Sequence, residues 1–157
     1  MDPNKTKVAK VMSRDVVTAA ESDSLASVMD AMLTRNISHV PVVDEERALI
    51  GIISKTDIVS DRAMSGETRE VSRPVKLLRR GIRYGLEDGF HLEVSPDVTV
   101  GDVMTPAVVS ISDTASLVQA AALMANHRVH GLPVISKRRG LVGFISTADI
   151  TNWVARS

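Results

Sequence analysis

The segment Gly51-Ile52-Ile53-Ser54-Lys55-Thr56-Asp57 returns 92 residues later as Gly143-Phe144-Ile145-Ser146-Thr147-Ala148-Asp149. The offset pairs Met12 with Met104, Leu25 with Leu117, Met32 with Met124, Pro41 with Pro133 and Leu49 with Leu141. Between 8–58 and 100–150, 17 of 51 positions are identical without a gap. Unrelated segments would agree at about one position in fifteen, so the chain contains an internal repeat. A repeat of this size buries too little surface to be stable alone. The two copies are therefore expected to fold against each other as one compact body within the 157 residues.

Each copy reads as strand, helix, strand, strand, helix. In the first, Val16-Val17-Thr18 is the opening strand after a short apolar turn at 8–12, and residues 1–7 form a loose polar terminus. Ser22, Asp23 and Ser24 offer N-caps to a helix reaching about Arg35. Its Leu25, Val28, Met29, Met32 and Leu33 form one apolar stripe. Val40–Val43 and Leu49–Ile53 form a hairpin across the polar turn 44–47, and a second helix begins near Lys55. Both strands are continuously apolar, which predicts cover on both faces. The second copy repeats the order, with an alanine-rich helix from Ser116 to about His127. The predicted divisions are 1–62 and 98–157 for the copies and 63–97 for an insert that has no counterpart. Within the insert, Val75, Leu78 and Ile82 on one side and Lys76, Arg79, Arg80 and Arg83 on the other predict a short basic amphipathic helix over 73–83, weakened by Gly81.

Composition narrows the function. Nineteen basic and nineteen acidic side chains balance, which argues against a whole-chain electrostatic partner such as bulk nucleic acid. Cysteine is absent, which removes disulfides and thiolate metal sites. No apolar run approaches the ~18 residues of a membrane span, and the polar N-terminus is no signal peptide. The expectation is a soluble cytoplasmic protein with no membrane partner. Phosphate-loop, dinucleotide, zinc-protease and nucleophile-elbow motifs are missing, so no catalytic residue is assigned and an enzyme is not expected.

Ser54-x-x-Asp57 and Ser146-x-x-Asp149 stand where an apolar strand enters a helix. A hydroxyl followed three residues later by an acid is close to a capping box, worth about 1 kcal/mol to the helix. The same groups could also bind: a carboxylate accepts from the vicinal hydroxyls of a ribose, beside free N–H groups that suit an anion. A single copy favours the cap; repetition with the glycine and apolar strand retained favours binding.

In order and register, Val11-Met12 and Val103-Met104, Val40-Pro41-Val42-Val43 and Leu132-Pro133-Val134-Ile135, and the two Gly-to-Asp segments resemble a tandem pair of cystathionine-β-synthase (CBS) domains, a Bateman module. The resemblance covers nearly all of the chain except the insert. It implies an α/β fold of two β-α-β-β-α repeats in a pseudo-two-fold body, a homodimer, and a regulator that needs no cofactor. The implied ligand is an adenine nucleotide or S-adenosylmethionine, held in clefts between the repeats and signalling to a separate protein. Asp57 and Asp149 would hold ribose, with Ser54 and Ser146 on ribose or phosphate. Thr18 and Ser110, and the main chain at Val40 and Leu132, would line the adenine. His130 matches a phosphate-contacting histidine of the kinase-regulating CBS proteins. The first copy departs there, with Ser38 beside His39; His39 and Arg128 are further phosphate candidates. With His127 and His130 lacking a third ligand nearby in sequence, no metal site is assigned. The alternative is a scaffold whose basic insert docks on nucleic acid or an acidic protein, a weak and salt-sensitive contact for four or five charges.

Overall fold

The computed structural model describes residues 2–59, 76–79, 82–85, 91–106 and 108–156. A 3-10 turn at Val8–Lys10 precedes α1 (Leu25–Thr34), β1 (His39–Val43), β2 (Leu49–Ser54) and α2 (Lys55–Val59). Then come β3 (Lys76–Arg79), β4 (Ile82–Gly85), β5 (His91–Val94) and β6 (Thr105–Pro106). The chain closes with β7 (Ile111–Ser112), α3 (Leu117–His127), β8 (Gly131–Ser136), β9 (Gly140–Ser146) and α4 (Thr147–Ala155).

These elements cluster into two compact units that cut across the sequence repeats. Unit one takes Met1–Thr18, Val43–Gly51 and Pro106–Ser157; unit two takes Ala19–Val42 and Ile52–Thr105. Each unit thus combines most of the body of one repeat with the lead segment of the other, and unit one also takes the hairpin turn of the first copy, Val43–Gly51. In unit one the Val8 N–H donates to the Ala115 carbonyl at 2.8 Å and the Leu117 N–H to Thr6 at 3.0 Å. In unit two, at positions shifted by the repeat offset, the Val100 N–H donates to Asp23 at 2.9 Å and the Leu25 N–H to Val98 at 3.0 Å.

The cores match at all but one position. Val8, Met12, Ile111, Leu117, Ala120, Met124, Leu132, Val134 and Ile145 form the buried cluster of unit one. Unit two buries Ala19, Leu25, Val28, Met32, Val40, Val42, Ile53 and Val100, the repeat equivalents of eight of these nine; Met104, the equivalent of Met12, is half-buried. β7 and β8 pair in parallel with Ile111 opposite Val134, and β8 and β9 pair antiparallel with Leu132 opposite Ile145. Ala19 bridges Val42 in the same parallel sense. Both first helices end alike. The N–H groups of Ile37 and Val129 reach back to the Met32 and Met124 carbonyls at 3.0 Å, and Asn36 and Arg128 turn left-handed with φ of 50° and 53°. This is a Schellman closure, which Asn tolerates more readily than Arg.

Four expectations are corrected. Val16–Thr18 forms no strand, and the opening strand of the first copy shrinks to the single bridge at Ala19, since among the described residues only the N–H of Ala19 reaches a β1 carbonyl, that of Pro41. Leu33 is 71% exposed: it lies at the trailing edge of a stripe whose centre is Leu25, Val28 and Met32. The terminus is not loose from Asp2 on, since Lys7 bridges Ser116 and two amides return to the Asp2 carbonyl. The predicted helix over 73–83 is absent where described: 76–79 and 82–85 are antiparallel strands, continued by β5 with Ile82 opposite Val94 and Arg83 opposite Glu93. The remainder of that prediction, including Arg80 and Gly81, lies outside the described residues. Ile82-Arg83-Tyr84 and Leu92-Glu93-Val94 alternate with period two and carry strand-favouring residues, and Gly81 costs a helix interior about 1 kcal/mol. No described helix is long and apolar enough to cross a membrane.

Candidate functional site

Both Ser-x-x-Asp motifs are complete capping boxes. At the start of α4 the Ser146 N–H and hydroxyl donate to Asp149 Oδ2 at 2.8 and 2.7 Å, and the Asp149 N–H donates to Ser146 Oγ at 3.2 Å. Ser54 and Asp57 repeat the set at 3.0, 2.7 and 3.0 Å. The strand before each box sets the entry of the helix. The first amide of each helix also donates to the residue just before the other strand of its hairpin: Lys55 to the Ser38 carbonyl at 3.0 Å and Thr147 to the His130 carbonyl at 2.9 Å.

The box uses one carboxylate oxygen and leaves the other. A carboxylate offers about four acceptor positions, and two donors occupy Oδ2. Among the described residues no hydrogen bond reaches Oδ1 of Asp149, whereas Asp57 Oδ1 accepts a long, 3.5 Å contact from the Thr105 hydroxyl. Asp149 lines a hollow of about 290 Å³ with Lys10, Val11, Asn152, Trp153 and Arg156. Asn152, Trp153 and Arg156 follow Asp149 at helical spacings of three, four and seven, so one face of α4 carries the wall. An open acceptor, two cations and an indole thus share one concavity.

The other predicted residues are placed as follows. Thr18 and Ser110 are half-buried, each one residue before the bridge to the central strand. Val40 and Leu132 are fully buried, so only their main chain could meet a ligand. Ser38 is exposed and His39 half-buried at the start of β1. His130 and Arg128 line a different hollow, of about 410 Å³, with Thr147, Ile150 and Thr151 from the other face of α4 and Met124 from α3. The structure therefore gathers Ser146 with Asp149, and Arg128 with His130, but sets the two pairs on opposite sides of the first turn of α4. Among the described residues, no three His, Asp or Glu side chains converge as a metal site.

Sequence reasoning missed Thr105, Lys10, Trp153 and Arg156. Thr105 had a signal: Met12-Ser13 and Met104-Thr105 both place a hydroxyl after the repeated methionine. Lys10 had none, because its approach to α4 depends on the lead segment crossing to the other repeat's body.

A family model described as CBS domain matches residues 8–63 and 100–156. The uncharacterized protein MJ1404 of Methanocaldococcus jannaschii is 29% identical over 152 residues, covering 96% of this chain and 32% of that protein; the chain spans about a third of the length of this curated relative. The crystal structure of the CBS domain pair of protein MJ0100, in complex with 5′-methylthioadenosine and S-adenosyl-L-methionine, superposes with a TM-score of 0.69 at 22% identity, covering 96% of this chain and 97% of that one. CBSX2 in complex with AMP gives a TM-score of 0.69 at 20% identity, again covering 96% and 97%. At these identities the solved structures establish the fold.

Proposed function

Because this chain belongs to the CBS domain family, we propose that it is a regulatory module that reversibly binds an adenosine-containing ligand at its Ser-x-x-Asp turns. The carrying observation is Asp149: Oδ2 is held by its own cap, Oδ1 is open, and the carboxylate lies in one hollow with Lys10 and Arg156. A ribose diol supplies the donors that Oδ1 lacks. The two cations suit a phosphate or carboxylate carried on the same ligand, and Trp153 offers an apolar wall. Asp57 would act likewise in unit two, with part of its capacity taken by Thr105. The reading gains support from two solved structures of the same fold whose bound ligands, S-adenosyl-L-methionine with 5′-methylthioadenosine and AMP, all contain adenosine.

Binding becomes a signal only if a partner, a separate protein or a second copy of the chain, distinguishes bound from free. The deciding experiment is a thermal melt against AMP, ADP, ATP, S-adenosylmethionine, 5′-methylthioadenosine and GTP. A ligand at ~100 times its Kd adds about 2.7 kcal/mol. A rise of several degrees with an adenine ligand and none with GTP supports the reading. No rise with any adenosine compound at millimolar concentration refutes it.

A further inference from the structure

Unit one carries a second concentration of positive charge, in a hollow that shares no lining residue with that of Asp149. Arg14, Arg47 and Arg139 line a hollow of about 470 Å³ whose remaining wall is Val16, Leu141, Val142 and Gly143. Among the described residues no carboxylate lines the hollow, and none of the three guanidinium groups has an ion pair. Like charges gathered without a counter-charge repel one another and raise the local potential, which makes such a concavity a sink for anions.

The convergence is built into the backbone. Arg47 and Arg139 are repeat equivalents on the turns of the two hairpins. Arg47 sits left-handed at φ 65°, a conformation that costs a β-carbon-bearing residue energy. It is held there because its N–H donates to the Asp44 carbonyl at 3.0 Å and its own carbonyl accepts from the Leu141 N–H at 3.3 Å. The second contact requires glycine at 140, where a Cβ would stand 2.5 Å from the Arg47 carbonyl oxygen. Arg14 is anchored too, its Nη2 donating to the Ala9 carbonyl at 2.8 Å. On the Arg47 turn Asp44 accepts from the Ala48 N–H at 2.7 Å, and Glu45 and Glu46 are exposed, as is Asp15 beside Arg14.

We propose that the Arg14–Arg47–Arg139 hollow binds the phosphate chain of a small phosphorylated molecule, as a site separate from the Asp149 turn. The volume falls within the range of small-ligand sites, roughly 300–1,000 Å³. Guanidinium groups match phosphate oxygens in pairs. The β9 residues that line the hollow end at Gly143, whereas Asp149 follows the strand's Ser146 end, so at least three strand residues, about 10 Å, part the two, and no residue lines both hollows.

The test is calorimetric titration of the full chain with inorganic tripolyphosphate, alone and with adenosine present. The expected result is binding in the native chain that adenosine does not displace, that Asp149→Asn leaves unchanged, and that Arg47→Asn with Arg139→Gln weakens at least tenfold. Asn is chosen at 47 because it tolerates a positive φ; Arg139→Gln alone, on an exposed turn, should weaken binding several-fold if the double variant does not fold. Binding with ATP but not with tripolyphosphate, binding abolished by Asp149→Asn, or binding indifferent to the arginine changes would each overturn the proposal. None of these outcomes depends on whether adenosine binds at Asp149.

Discussion

Asp149 Oδ2 accepts both the backbone N–H and the hydroxyl of Ser146, at 2.8 and 2.7 Å, and leaves Oδ1 pointing to no partner among the described residues. The carboxylate is therefore divided, one oxygen stabilising the helix start and the other available to a ligand. Asn at this position keeps one acceptor for the cap and replaces the second with a donor. Asp149→Asn should cost no more than about 1 kcal/mol of stability and remove at least tenfold of the affinity for an adenosine ligand at that site. Denaturant melts and ligand titration of the same variant check the two halves. Unchanged affinity would show that Oδ1 is not the ribose acceptor.

Arg128 pays a backbone cost that its equivalent Asn36 largely avoids, since both turn left-handed after their helices. Arg128→Gly should raise stability by about 1 kcal/mol, a gain of about 2–4 °C in Tm for a chain of this size. A lower Tm would mean that the Arg128 side chain contributes packing that outweighs the strain.

Gly143 has no room for a side chain. A Cβ there would lie 2.4 Å from Met12 Sδ and 2.9 Å from the Ser13 carbonyl oxygen. The sulfur can swing aside, but the carbonyl belongs to the Ser13–Phe144 bridge, with reciprocal 2.9 Å bonds, and cannot. Gly143→Ala should destabilise by about 1–3 kcal/mol, seen as a lower urea midpoint. A neutral result would show that the lead segment is free to move off β9.

The exchange of lead segments predicts which helix responds to which valine. Val8 is fully buried in the core that holds Leu117 and Ile145, and Val100 is fully buried in unit two. Val8→Ala should cost about 2 kcal/mol and speed amide exchange in α3 more than in α1. Val100→Ala should do the reverse. Hydrogen-exchange mass spectrometry reads both, and faster exchange in α1 on Val8→Ala would contradict the exchange of leads.

Legibility followed the range of the interactions. Leu25, Val28 and Met32 announced a buried helical stripe because helical period is local, and the Ser-x-x-Asp boxes were visible because a cap spans four residues. The insert misled because apolar residues at 75, 78 and 82 fit a helix as easily as Ile82 and Tyr84 fit a strand. Only pairing with β5, Ile82 opposite Val94, decided between them.

The sequence by itself determined the duplication, the order of elements within each copy, the matching cores and the two capped aspartates, all of which rest on local pattern or on identity at a fixed offset. It could not say which body each lead joins: Val8 and Val100 are the same residue in the same context, and either hydrophobic pattern suits either core. The tertiary structure made that choice, and with it placed Lys10 beside Asp149 and Arg14 beside Arg47 and Arg139. It also parted His130 from Asp149, because residues two apart in helix α4 face different sides while the strand before it fixes which side meets which hollow.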